Sequence, residues 1–171
     1  GYILNAEQIE RLTKAAFTLD SKDGKYHVNK DYVGKDAAVL AEVAGVRVPP
    51  ATQLLVGETD YGHLFVQHEQ MMPFVPFVRV KDVDAAIDLA IQSEHGYRHT
   101  AIIHSRNMDT VTKFGRHANT TLFVVNGASP SGLGLGGQGF LSYSIATPTG
   151  EGITTPLTFT RYRRVMITGS L

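Results

Sequence analysis

The chain has 171 residues, is 43% apolar and 19% charged, and contains no cysteine. That composition fits one packed domain rather than a disordered chain, and the missing thiols exclude disulfides, thiolate metal sites and a cysteine nucleophile within these residues. Lys+Arg and Asp+Glu are equal at 16 each, without the surplus of positive charge that duplex nucleic acid demands; no run approaches the ~18 apolar residues of a membrane span, and no export signal opens the sequence.

The apolar pattern starts abruptly at Tyr2-Ile3-Leu4 behind Gly1, as expected of a piece of a longer chain or of a processed product. Asn5 is a good N-cap for a helix over residues 6–17, where Ile9, Leu12, Ala16 and Leu19 recur at helical spacing. Residues 20–25 read as a polar turn. Residues 35–44 predict a second, alanine-rich helix stopped by Gly45. Residues 46–50 end in Pro49-Pro50 and are expected to be extended.

From there strands and helices alternate. The apolar runs at 53–57, 76–80, 100–104 and 122–125 predict buried strands. Asp82 caps a helix over 83–94 that Gly96 stops, and Asn107 or Asp109 opens the helix carrying Met108, Val111, Phe114 and Gly115. Short apolar strands separated by amphipathic helices predict an α/β fold: a mostly parallel sheet with helices on both faces. Residues 127–139 are glycine-rich and read as a loop. Residues 141–145 could add a short strand. Residues 157–168 alternate with period two and predict a long strand outside the βα units. It reads as an arm that pairs with another part of the molecule or with another subunit, or equally as an antiparallel edge strand folded back on its own sheet.

Candidate chemistry is sparse. Glu69 lies between two predicted strands, where an ionised carboxylate could accept both hydrogen bonds of a ribose diol. A solvated loop glutamate is the commoner case. His99, ahead of the third strand, could move a proton or orient a substrate oxygen. His95, His99 and His104 straddle a helix stop and a strand, so they share no helical face and no metal is expected. The glycine loop lacks the Lys-Ser/Thr of a P-loop; close backbone approach to a ligand or another segment is the better reading. Asn126 ends the fourth strand and is a plausible polar contact at the sheet edge.

Several strings occur together in order. His68-Glu69-Gln70-Met71-Met72-Pro73-Phe74-Val75-Pro76 resembles the aldehyde dehydrogenase pattern of Glu, one residue, an apolar residue, one residue and Pro before a strand. Arg98-His99-Thr100-Ala101 with Ile103-His104-Ser105 is similar to the CoA-acylating branch. Asn126-Gly127, Gly134-Leu135-Gly136-Gly137-Gln138-Gly139-Phe140 and Ile145-Ala146-Thr147-Pro148-Thr149-Gly150-Glu151-Gly152 resemble the propionaldehyde and ethanolamine-pathway acetaldehyde dehydrogenases. The resemblance runs from about residue 26 to the end.

It implies a bacterial, cytoplasmic enzyme, typically housed in a microcompartment, that oxidises a small aldehyde with NAD and passes the acyl group to coenzyme A. It further implies that Glu69 holds the nicotinamide ribose with Met71 beside it, and that His99 assists the acyl or CoA step. Asn126, Gly127, Gly136 and Gly137 would line the active-site entrance. Residues 1–153 would be the α/β portion of a C-terminal catalytic domain, and residues 154–171 an arm that builds a homo-oligomer. The family's nucleophilic cysteine and its dinucleotide-binding half have no counterpart here, so the chain alone is expected to be inactive. Gly127-Ala128-Ser129-Pro130-Ser131 departs from the subgroup's Gly-Pro-Ser-Tyr-Ala. Two alternatives remain: a free-standing α/β binding or scaffold domain, and a fragment of a non-acylating aldehyde dehydrogenase.

Overall fold

The computed structural model describes residues 1–135, 154 and 156–169. They form two compact units, with the boundary between Lys81 and Asp82.

The first unit is built around a parallel three-stranded sheet of order β1-β4-β5, comprising β1 (Tyr2–Ile3), β4 (Leu55–Thr59) and β5 (Phe74–Val78). Helix α1 (Ala6–Ala16) opens with a reciprocal cap: Asn5 Oδ1 accepts from the Gln8 N–H at 3.0 Å, and Gln8 Oε1 accepts from the Asn5 N–H at 2.9 Å. It buries Ile9, Leu12 and Ala16. Helix α2 (Ala37–Val43) adds Ala37, Leu40 and Ala41 to the same core, which closes on Leu55, Phe65 and Phe74. Gly57 lets α1 lie close: a Cβ there would stand 2.5 Å from Ile9 Cδ1. Strand alternation puts Leu55 and Phe74 inward, while Ile3, Val75 and Phe77 are exposed.

The expected helix over 6–17 ends one residue early. Phe17 turns extended and begins a hairpin of β2 (Phe17–Leu19) and β3 (Tyr26–Val28). Packing overrides periodicity here: the Phe17 ring meets Phe65 edge-on at 4.9 Å, while Leu19, expected on the buried face, is exposed. A short helix α3 (Leu64–Gln67) also escapes the pattern.

The second unit carries α4 (Val83–Ser93), β6 (Thr100–Ile103), α5 (Met108–Ala118) and β7 (Leu122–Val125). Strands β6 and β7 pair in parallel, Thr100 with Leu122 through Ile103 with Val125. Asp82 caps α4 by accepting from the Ala85 N–H at 2.8 Å; Asn107 caps α5 through Asp109 and Thr110. Ile87, Phe114 and Ala118 form its core with Phe123. The parallel ladders thus bear out the α/β expectation, divided between two sheets.

The glycine-rich stretch is not wholly loop. Residues 129–132 form a single helical turn, α6 (Ser129–Gly132), with Pro130 in its first turn. A Cβ on Gly132 would stand 2.9 Å from Val124 Cγ2, so the close backbone approach expected of these glycines is made by α6 onto β7. The expected strand over 141–145 and the glycines Gly136 and Gly137 lie outside the described residues. The expected strand over 157–168 differs: residues Pro156–Phe159 form a 3₁₀ turn, and residues 160–168 are exposed with no strand assigned. A strand is defined by its ladder, and among the described residues the arm has none.

Candidate functional site

In the first unit, Glu69 lies in the irregular segment between α3 and β5 and is exposed. It therefore precedes its strand. The rule that places ligands at carboxyl ends of parallel strands does not select it. One anchor of this segment is Met71, whose backbone is left-handed (φ 52°) and whose carbonyl accepts from the Gly34 N–H at 3.1 Å. A left-handed methionine is strained, and such strain persists only where neighbours impose it. The turn sends Met71 outward, 71% exposed, and Met72 into the core. An exposed carboxylate beside an exposed thioether can accept hydrogen bonds from a diol next to an apolar platform. Those residues fit the ribose and ring of a nicotinamide cofactor in chemistry.

Upstream in the same unit stands a histidine that motif reading passed over. His63 Nδ1 accepts from the Phe65 N–H at 3.3 Å and caps α3. Its Nε2 lies 3.3 Å from Thr13 Oγ1 on α1. Burial lowers the His63 pKa, and the Asp60 carboxylate opposes that weakly. The sequence signal was a histidine one residue ahead of an apolar run, at a position where Ser, Asp or Asn is usual.

In the second unit, His99 sits just before β6, exposed, its ring tilted against Tyr97 with centroids 6.1 Å apart. Its carbonyl accepts from the Leu122 N–H at 2.9 Å, which extends the β6·β7 ladder by one rung. Asn126 sits at the other end, just past β7. Its backbone is left-handed (φ 54°), and its side chain is a clasp: Oδ1 accepts from the Ser105 N–H at 2.9 Å and Nδ2 donates to the Ser105 carbonyl at 2.8 Å. His99 and Asn126 are thus at opposite ends of one strand pair, roughly 17 Å apart at strand rise in this register. The structure does not bring them together. Gly127 follows Asn126 and packs beside Val124 and Ser131.

A groove of about 350 Å³ opens at the carboxyl end of β6, lined by Val83, Ile87, Ile103, Ser105, Thr110 and Phe114. Asn126 sets its rim by holding the Ser105 backbone. Sequence reading missed this groove, because its apolar floor is shared with the core.

Asp20, Asp23 and His27 bring three ligand-type atoms within 4.8 Å of one another on the β2–β3 hairpin. They are turn residues first: Asp20 accepts from the Lys22 N–H, and Asp23 from the Lys25 N–H. The Lys25 N–H is the main cause that holds the Asp23 carboxyl below its usual range, with His27 assisting. Among the described residues no helix is long and apolar enough to cross a membrane.

No protein-family model matches the chain. It is 44% identical over 164 residues to the acetylating acetaldehyde dehydrogenase of Salmonella typhimurium, a match covering 96% of this chain and 35% of that enzyme. Among solved structures, Rhodopseudomonas palustris propionaldehyde dehydrogenase with bound propionyl-CoA superposes with a TM-score of 0.82 at 41% identity, over 94% of this chain and 34% of that one. The propionaldehyde dehydrogenase from the Clostridium phytofermentans fucose utilisation bacterial microcompartment gives 0.86 at 38% identity, over 99% and 38%. An engineered glycolyl-CoA reductase with bound NADP+ gives 0.83 at 40%, over 94% and 35%. The chain spans about a third of the length of these relatives. In sequence and in fold it belongs to the CoA-acylating aldehyde dehydrogenases.

Proposed function

We propose that these residues form part of an NAD(P)-dependent, CoA-acylating dehydrogenase of small aldehydes, which converts aldehyde, NAD(P)+ and CoA to acyl-CoA and NAD(P)H. The observation that carries the proposal is identity of 44% over 96% of the chain to an enzyme of that activity. The nucleophilic thiol comes from outside these residues, since the chain holds no cysteine. Bound NAD(P)+ would accept the hydride, and CoA would take the acyl group.

The part of the present residues is to bind and to position. Glu69 accepts from the ribose hydroxyls, and Met71 offers its exposed side chain to the apolar part of the cofactor. His99 serves the acyl or CoA step through an exposed imidazole that could orient or pass a proton to a substrate oxygen. Asn126 contributes differently from a direct entrance contact: it shapes the carboxyl end of β6 through Ser105. Residues 157–168 pair with a second copy. Residence in a microcompartment goes with this reading, by likeness to the Clostridium enzyme.

The test is a chain in which these 171 residues are joined to the remaining two thirds of such an enzyme. CoA-dependent formation of NAD(P)H from acetaldehyde or propionaldehyde is expected, and none from the 171 residues alone. A joined chain that folds and oxidises no aldehyde overturns the proposal; one that oxidises aldehyde without CoA favours the non-acylating alternative.

A further inference from the structure

We propose that His63 is a positioning residue, held as the neutral Nε2–H tautomer, which sets the Glu69–Met71 segment by capping α3 and tying it to α1. Two hydrogen bonds assign the tautomer independently. Nδ1 accepts from the Phe65 N–H, so it carries no proton. The Thr13 hydroxyl donates to the Ile9 carbonyl at 2.7 Å and can therefore only accept from the ring, so Nε2 carries the proton. Both bonds specify the same neutral species. The ring also lies flat against Phe65, 12° from parallel with centroids 5.8 Å apart, and Phe65 is buried against Phe17 and Phe74.

The consequence runs along the chain. Helix α3 is one turn long, and its C-cap is His68, the residue before Glu69. A single turn has little stability of its own, so its cap and its buried phenylalanine hold it. Protonation at Nδ1 would set a ring N–H against the Phe65 N–H and place a positive charge at the start of α3. The turn that delivers Glu69 then loses its anchor.

The charged groups around the ring do not cancel this. On α1, Glu7 pairs with Arg11 and Glu10 with Lys14. Asp60, in the preceding turn, favours the protonated ring, but burial outweighs it. Strand β5, against which α3 packs, carries no titratable side chain. His68 is engaged with the Phe17 ring at 5.8 Å.

The inference uses the proposed role of Glu69 only for its functional consequence. Its test is a pH titration of the chain by nuclear magnetic resonance, following the His63 ring and the amides of Phe65, Glu69 and Met71. The ring is expected to titrate below the value of a histidine in a short peptide, with the three amides following its midpoint. Protection of the Phe65 amide from exchange, corrected for the intrinsic rate, should fall about fivefold or more across it, the usual worth of a helix cap. His63→Asn puts an amide oxygen where Nδ1 stands and does not titrate, so it should retain protection at low pH and abolish the shared midpoint. A His68→Gln chain removes that ring's own effect on the Glu69 amide and should leave the shared midpoint in place. Amides that ignore the His63 midpoint, or that titrate unchanged in His63→Asn, overturn the inference. Should the coupling hold while Glu69→Gln leaves cofactor binding unaltered in the joined enzyme, the ribose role fails and the positioning role stands.

Discussion

Glu69 and His63 show how differently two polar residues declare themselves. Glu69 is exposed, so its removal should cost the fold little and the cofactor much. In the joined enzyme, Glu69→Gln is expected to raise the KM for NAD(P)+ about tenfold, the loss of roughly 1.5 kcal/mol from a charge-assisted hydrogen bond. The KM for aldehyde should move little; steady-state kinetics with each substrate varied separately checks this. His63 acts on the fold instead. Its pKa is depressed mainly by burial, so the unfolded chain takes up the proton first. The stability due to neutral His63 is complete above about pH 6.5 and is lost as pH falls through the folded value. Urea midpoints should therefore drop more between pH 7.5 and pH 5 in the wild-type chain than in His63→Asn. Equal drops would show that the ring contributes no such linkage.

At the scale of elements, legibility followed local chemistry. Helices α1, α4 and α5 were readable because Asn5, Asp82 and Asn107 sit one residue before an apolar period, and each accepts the hydrogen bonds that a cap requires. Strands β6 and β7 were readable as unbroken apolar runs. Strand β1 was not, because two residues carry no period; its place comes from pairing Tyr2 with Leu55 and Ile3 with Val56. The end of α1 was misread because Leu19 keeps the helical spacing, whereas the Phe17–Phe65 contact is set by residues 48 positions apart. Asn126 was legible as an important polar residue and illegible in its task, since the Ser105 backbone it clasps is known only from the fold. Asn126→Ala should lose both hydrogen bonds and also hold alanine at a positive φ, costing about 2 kcal/mol or more. Asn126→Gly loses the bonds but relieves the backbone, so its cost should be smaller. Urea denaturation of the two variants orders them, and a glycine variant that is the less stable would show that the backbone carries no strain.

For the whole molecule, the informative region is the one that satisfies none of its own pattern. Residues 157–168 alternate as a strand should, yet Phe159, Tyr162 and Met166 stand 76%, 92% and 77% exposed. Isolated apolar side chains on a surface need no explanation, but an apolar, β-prone segment with no strand assigned is an edge awaiting a ladder. An antiparallel return onto the chain's own sheet would have supplied one, and among the described residues neither parallel sheet contains it. On the pairing proposed above, a second copy would supply it by strand addition, in which main-chain hydrogen bonds give affinity and alternate side chains give register. The chain should therefore exceed monomer mass in a concentration-dependent way by light scattering. Removing residues 154–171 should return it to monomer while its far-ultraviolet circular dichroism is retained, since the cores of both units are made by earlier residues. Arg163→Pro separates the ladder from mere stickiness: it removes one main-chain donor and bars the β pairing while leaving every apolar side chain in place. If proline at 163 leaves the mass distribution unchanged, association runs through side chains and the arm is no strand.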